Sequence, residues 1–261
     1  MSILSASFFI VKEYEFMKQN TSIWKKIDDF SSDSLYERTT VRIPLHNTVI
    51  VPSQGNEICR IIHSANRTFV SVQEKHIQTI REYLRVNDIA KKLCSPLFYR
   101  EILELLGYNP CEFLLEPSEE FLQNIKYNCV HTLDYACVKD TFIPKSTDQI
   151  EKICRGDERF ILDENFDDTM YCITDNNRMV ACSYYRPNSG MFANTCSMEV
   201  FVRPECRGKG YGKMTASAAT QTIVDDNKLA LWVCQVENIS SQKIAESLGY
   251  MLLGGELRII K

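Results

Sequence analysis

Apolar residues recur along this chain in two rhythms, and the switches between them divide it into elements. Thr39 to Ile43 and Thr48 to Val51 flank a Pro-Leu-His-Asn turn, and Ile58 to Ile62 and Thr68 to Val70 flank a Ser-Ala-Asn-Arg turn. These short β-branched runs predict a small β layer. The period then lengthens: Ile77, Ile80 and Leu84 make one stripe behind a Ser71/Glu74 capping box, which predicts a helix. Ser95-Pro96 opens a second helix that Gly107 closes. From Asn109-Pro110 to Asn128 the pattern turns polar and proline-bearing, with its clearest break at Pro117-Ser118. The chain therefore divides into an N-terminal α/β unit, 1–117, and a second unit, 118–261.

The second unit opens on Asn128 to Val138, a candidate first strand. Ser146 with Gln149 then forms a capping box ahead of Ile150, Ile153 and Cys154, which predicts a helix. Met170 to Thr174 and Met179 to Tyr185 read as a hairpin closed by Asp175-Asn176-Asn177. Cys196, Met198, Val200 and Val202 alternate with Ser197, Glu199 and Phe201, a strand with two distinct faces. A helix-like run from Lys213 to Val224, an apolar run from Leu229 to Val236 and a short helix pattern ending at Leu248-Gly249-Tyr250 follow. Gly254-Gly255 separates Met251–Leu253 from Leu257–Ile260, which predicts a closing hairpin. The fold class is α/β (α+β).

With 261 residues and 44% hydrophobic content the chain can bury one large core or two modest ones. Its 30 basic and 34 acidic residues leave a net charge of −4, which provides no footprint for nucleic acid or an anionic membrane. Ile3 to Val11 has no basic leader and is broken by Ser5 and Ser7, so neither a signal peptide nor a membrane span is expected and the chain reads as cytoplasmic. Eleven cysteines are scattered without a Cys-x-x-Cys pair, which argues against a disulfide framework and a zinc site. Most read as buried small hydrophobes; Cys206 stands out because it adjoins a candidate anion loop, where positive potential lowers a thiol pKa.

That loop is Arg207-Gly208-Lys209-Gly210-Tyr211-Gly212, between a strand and a helix. Glycines let the backbone approach an anion while the first-turn amides and the helix dipole point at it, so the expected ligand is a pyrophosphate. A Walker loop does not fit, because Gly208 is one position too near Gly212 and Met214 stands where the hydroxyl after Lys213 belongs, and a dinucleotide fingerprint does not fit, because the glycines are spaced Gly-x-Gly-x-Gly rather than Gly-x-Gly-x-x-Gly. A second signature follows: Asn238-Ile239-Ser240-Ser241 at the end of the next apolar run, leading through Ala245 to Gly249-Tyr250.

Together, Val-x-Pro-x-x-Arg-Gly-x-Gly-x-Gly at 202–212 and Asn-x-x-Ser-x-x-x-Ala-x-x-x-Gly-aromatic at 238–250 resemble the GNAT superfamily of acetyl-CoA-dependent N-acetyltransferases. The wording of the motifs is most similar to the branch typified by zwittermicin-resistance acetyltransferases. The resemblance covers roughly the last half of the chain and implies a GNAT fold there, with a mixed central sheet flanked by helices. It implies acetyl-CoA as cosubstrate, with Arg207, Gly208, Lys209, Gly210, Tyr211, Gly212 and Lys213 holding the pyrophosphate. The backbone around Phe201 and Val202 would pair with the pantetheine arm, the Val202 amide would polarise the thioester carbonyl, and Asn238 would steady the cofactor; Ser241 belongs to the same set. Asn238 also reads as a plain helix cap. Glu199, on the strand leading to the loop, is the candidate general base, against a solvated or salt-bridged strand carboxylate. Trp232 and Tyr211 read first as packing residues.

The usual pattern has a tyrosine seven residues after the Asn to protonate the departing thiolate, and here that position is Ala245. Tyr250 lies beyond the helix end, so no acid is assigned; a thiolate with a pKa near about 8.5 can take its proton from water. A small-molecule primary amine, such as that of an antibiotic, is the expected acceptor; the N-terminal unit, which shows no second Arg-x-x-Gly-x-Gly, reads as a degenerate second GNAT-like unit or as a lid that shapes access to the acceptor. A protein or peptide amine and a non-catalytic acyl-CoA-binding sensor are the alternatives.

Overall fold

A computed structural model describes residues 38–39, 41, 47–65, 67–110, 113–114, 127–154, 169–188 and 193–261. The break at Pro117-Ser118 and most of the expected strand 39–43 lie outside them. Among the described residues eleven strands form one open mixed sheet. They are β1 (Thr48–Pro52), β2 (Glu57–Ser64), β3 (Arg67–Val72), β4 (Phe113–Leu114), β5 (Tyr127–Cys137), β6 (Glu151–Cys154), β7 (Thr169–Asp175), β8 (Arg178–Pro187), β9 (Thr195–Val202), β10 (Leu229–Gln235) and β11 (Met251–Ile260). The order is β1-β3-β2-β11-β5-β10-β9-β8-β7-β6, with β4 beside β5. Helices α1 (Ile77–Val86), α2 (Ile89–Leu93), α3 (Phe98–Leu105), α4 (Tyr211–Asp225) and α5 (Ile239–Ser247) complete the described regular structure apart from short 3-10 turns and the helical residues Arg38 and Thr39, where a strand was expected to begin.

Strand parity assigns the faces. Odd-numbered residues of β5, from Cys129 to Cys137, lie on one side; Cys129 packs with Ile80, Leu93 and Phe98 of α1–α3, while Leu133 and Tyr135 pack with Ala216 and Ala219 of α4 and Ala245 of α5. All five helices therefore cover the same face. The opposite face carries smaller apolar clusters and the ion pairs Arg38–Asp134 and Arg60–Glu256.

Three expectations are corrected. Ser146 opens no helix: its hydroxyl donates to Asp148 Oδ2 (2.8 Å), and Glu151–Cys154 is an edge strand paired to β7. The 150/153 spacing fits a helix, yet only Ile153 of this strand is buried, and the free edge of β7 supplies backbone partners that no local pattern reveals. Gly254-Gly255 is not a turn: β11 runs unbroken through it, with a register shift against β5 between Leu252 and Gly254. A Cβ at Gly254 would stand 1.9 Å from the His63 carbonyl oxygen, and one at Gly255 2.3 Å from that of Thr132, so glycine here permits close strand approach. Ser71 lies within β3, and the turn before α1 is a 3-10 segment with no side-chain cap. The hairpin at Asp175-Asn176-Asn177 stands as expected; φ is +50° and +60° at the two asparagines, the left-handed pair a tight hairpin needs.

The strand expected to begin the second unit, β5, lies in mid-sheet between β10 and β11, and β6 holds the far edge. β11 in turn pairs with β2, so β1–β3 extend the same sheet. No described helix is long and apolar enough to cross a membrane.

One buried group makes this core acid-sensitive. His131 on β5 is fully buried, its Nε2–H donates to the Leu93 carbonyl (2.8 Å), and its Nδ1 has no hydrogen-bond partner among the described residues. Burial pushes its pKa down to about 4 from 6.5, and the Leu93 bond opposes this only in part. The unfolded chain therefore binds a proton the folded chain refuses between those values, so stability is full above about pH 6.5 and falls toward pH 4, by up to roughly 3 kcal/mol from this group. Burial shifts His63 in the same direction. Urea midpoints are expected to drop from pH 7 to pH 5, and His131→Gln is expected to flatten part of that slope; equal slopes would remove His131 as the cause.

Candidate functional site

β9 and β10 run parallel but pair only at Leu229↔Thr195, Ala230↔Cys196 and Leu231↔Ser197. Beyond that point β9 continues to Val202 on β8 and β10 continues to Gln235 on β5, so the two strands part and leave a fork. The antiparallel ladders decide which backbone groups face it. The Arg203 amide donates to the Val180 carbonyl (3.0 Å), so by alternation Phe201 and Glu199 exchange bonds with β8. The amides and carbonyls of Val200 and Val202 then point the other way, into the fork. On the facing wall the Val236 amide donates to the His131 carbonyl (3.0 Å), which turns the Val233 backbone toward the fork.

This geometry refines the expected backbone contacts. Val202 turns its amide into the fork, but the backbone of Phe201 is committed to Cys182 of β8, so Phe201 can meet a cofactor only through its ring, which is 49% exposed. Val200 joins the site although no motif singles it out. The alternation along 196–202 already separates these residues, but only the β8 ladder says which of the two sets is free.

At the end of β9 the chain passes through a 3-10 turn, Pro204–Cys206, into the glycine loop. Gly208 and Gly210 have φ of +78° and +83°, left-handed values that glycine adopts without strain, and Gly210 is the N-cap of α4. The first helical bond described runs from the Met214 amide to the Gly210 carbonyl (3.1 Å), so the amides of Tyr211, Gly212 and Lys213 precede it. Arg207 and Lys209 are exposed, and neither forms an ion pair among the described residues. Lys209 Nζ stands 6.0 Å from the Tyr211 ring centroid. Gly212 serves packing instead, since a Cβ there would meet Val202 Cγ2 at 2.9 Å and its absence seats α4 against the fork wall. Cys206 is buried with Ile173, Val180, Val202 and Met214, where it packs.

Across the fork Asn238 caps α5, its Oδ1 accepting the Ser241 amide (3.1 Å). Ser241 Oγ accepts from Trp232 Nε1 (2.8 Å), and Trp232 meets Tyr250 edge-on, ring centroids 5.5 Å apart. Asn238 and Ser241 thus tie the start of α5 to β10 at the first residue past the last β9 pair. Ala245 is fully buried in the core. Tyr250 is buried, its hydroxyl 2.8 Å from Thr220 Oγ1, and burial raises its pKa well above 10. Neither residue presents an acid to the fork.

Glu199 projects from the face opposite the helices, is exposed, and has no ion-pair or hydrogen-bond partner among the described residues. Tyr184 of β8 stands opposite it. The arrangement combines a cationic loop with preceding amides, a fork lined by unused backbone groups, and an unpaired carboxylate beside it.

Residues 168–254 match the family model for GNAT acetyltransferases. That segment contains the fork, the glycine loop and Glu199, and the match places an acetyltransferase domain, of an enzyme family, within the chain. No curated protein matches the chain. Among solved structures, a GNAT-family protein from Novosphingobium aromaticivorans has 14% identity and a TM-score of 0.40 over 50% of this chain and 64% of that one. An acetyltransferase of the GNAT family from Colwellia psychrerythraea has 10% identity and a TM-score of 0.42 over 55% and 62%. A GCN5-related N-acetyltransferase from Sphaerobacter thermophilus has 11% identity and a TM-score of 0.40 over 74% and 71%. The chain thus spans just under two thirds of the first two, and likenesses this distant add no weight to the family match.

Proposed function

We propose, on the premise that residues 168–254 belong to the GNAT acetyltransferase family, that this chain transfers an acetyl group from acetyl-CoA to a primary amine of a small molecule. The observation that carries the reading is the fork, with the Val200 and Val202 amides turned into it, ending at a glycine loop whose cations lack acidic partners among the described residues. The amides of Tyr211 to Lys213, with Arg207 and Lys209, suit a pyrophosphate. The pantetheine arm of acetyl-CoA can extend the sheet at the Val200 and Val202 backbone, and an amide there can stabilise charge growing on the thioester oxygen. Glu199 takes a proton from the acceptor ammonium through water, the free amine forms the new N–C bond, and as the C–S bond breaks the nitrogen gives up its second proton to water. With Ala245 in the core and the Tyr250 hydroxyl committed to Thr220, the thiolate takes its proton from water. An antibiotic amine, as in the zwittermicin-resistance branch, is the acceptor the motif wording supports.

Calorimetry tests the first requirement. The chain is expected to bind acetyl-CoA, and Gly210→Val is expected to weaken binding at least about tenfold, because a β-branched residue resists φ of +83° and places a Cβ where the anion approaches. No neighbouring atom lies within 4 Å of that Cβ, so the fold should survive. Unchanged affinity would refute the loop assignment. A second reading, a non-catalytic acyl-CoA sensor, is favoured by Ala245 alone; acetyl-CoA binding without thiol release on any amine would support it.

A further inference from the structure

A serine lies buried beneath the first turn of α4. Ser183 of β8 pairs directly with Val200 of β9, so the two side chains share the face that the helices cover, and Ser183 is fully buried there. A hydroxyl in that position costs free energy unless it is hydrogen-bonded. Its Oγ–H donates to Thr215 Oγ1 at 2.8 Å, and Thr215, itself fully buried, belongs to α4. The single hydroxyl proton of Thr215 is shared in turn between the carbonyls of Tyr211 and Gly212, each at 3.2 Å. Two hydroxyls thus form a directed relay from the sheet to the first turn of the helix.

The carbonyls on which the relay ends are joined to the amides of the anion loop. The Tyr211 carbonyl lies in the same planar peptide unit as the Gly212 amide, and the Gly212 carbonyl in the same unit as the Lys213 amide. Both amides precede the first helical bond described, from Met214 to Gly210. A donor on the carbonyl end of a peptide unit polarises its N–H and strengthens the bond that N–H makes. It also fixes the tilt of the plane. Contact between Gly212 and the Val200 and Val202 side chains sets how near the turn lies to β9, but apolar contact has no direction; a hydrogen bond does. The other bonded hydroxyls of α4 act further along: Ser217 accepts from the Lys145 amide (2.9 Å), Thr220 meets the Tyr250 hydroxyl (2.8 Å) and Thr222 the Tyr171 hydroxyl (2.6 Å). Among the described side-chain hydrogen bonds, the relay alone reaches the turn that carries the amides.

We propose that Ser183 is a positioning residue for the pyrophosphate of the cofactor: acting through Thr215, it holds and polarises the peptide units whose Gly212 and Lys213 amides meet the anion. This rests on the acetyl-transfer reading. Helix ends fray, and an anion that must first order a loose turn binds more weakly than one that meets it already set. The residue never touches the ligand, so it needs no access to solvent.

The test measures binding to the whole chain, by calorimetry for acetyl-CoA and by ligand-detected NMR for S-acetylpantetheine, which lacks the pyrophosphate. Ser183→Ala removes one oxygen and is expected to weaken acetyl-CoA binding about fivefold or more, the scale of one hydrogen bond, while S-acetylpantetheine binds as to wild type. Thr215→Val is expected to lose at least as much, and Thr215→Ser, which keeps the hydroxyl, is expected to bind acetyl-CoA like wild type. In the free Ser183→Ala protein the amides of Met214 to Ala216 are expected to exchange hydrogen faster while those of Ile223 and Val224 do not change, a pattern that a uniform loss of stability would not produce. Unchanged acetyl-CoA affinity in Ser183→Ala overturns the proposal, as do equal losses for the two ligands or a Thr215→Ser protein as weak as Thr215→Val. Failure of the wild type to bind acetyl-CoA would instead overturn the acetyl-transfer reading. Should Thr215→Val fail to fold, Ser183→Ala and Thr215→Ser still decide.

Discussion

Glu199→Gln is expected to lower turnover by about 10²-fold or more while acetyl-CoA affinity stays within error of wild type. Glutamine keeps the size of the side chain and loses only the ability to take a proton, and positioned acid–base groups contribute on this scale. The position supports the role: Glu199 is exposed on the strand that forms one wall of the fork, and among the described residues it forms no ion pair. Its backbone is held in the β8 ladder, so the substitution should not disturb the Val200 and Val202 amides. Raising the pH supplies free amine without enzymatic help, so the deficit should shrink as pH rises. The pH–rate profile is the measurement, and one that overlays wild type would remove Glu199 from the mechanism.

Gly254→Ala is expected to unfold the protein or leave it insoluble, with a loss of about 4 kcal/mol or more where total stability is about 5–15 kcal/mol. The added carbon would stand 1.9 Å from the His63 carbonyl oxygen, 2.8 Å from its carbon and 3.0 Å from Ser64 Cα. All three are backbone atoms, so no rotamer change relieves the clash. The strand concerned pairs β2 on one side and β5 on the other, and its Leu257 and Ile259 belong to the core under α1–α3. Separating β11 from β2 would therefore expose a long strand edge and open that core. Gly210→Ala is the control: its φ of +83° is strained for alanine, but no atom lies within 4 Å, so the cost should be about 1–2 kcal/mol. Circular dichroism melts of the two variants separate the effects, and a melt for Gly254→Ala like that of wild type would show that the strands can part locally.

Elements whose cause is local were legible in the chain alone. Asn176-Asn177 closes the β7–β8 hairpin because asparagine tolerates the left-handed region that such a turn demands. Gly208, Gly210 and Gly212 mark the passage from β9 into α4, and the two-faced alternation from Cys196 to Val202 put Glu199 and Val202 on opposite sides of one strand. Asn238 was legible as a cap because its partner, Ser241, is three residues away. Everything that depends on a partner distant in the chain came from the folded arrangement. Residues 151–154 became a strand because β7 had a free edge, and Gly254-Gly255 lies inside a continuous strand rather than a turn because β2 and β5 pair with both sides of β11. Which β9 amides are free followed from the β8 ladder, and the fork itself from β10 following β5 away from β9. Asp134 carried no motif at all. Its place opposite Val233 comes from a register that joins strands about a hundred residues apart, and which distant strand a segment pairs with is not written in that segment's own side-chain pattern.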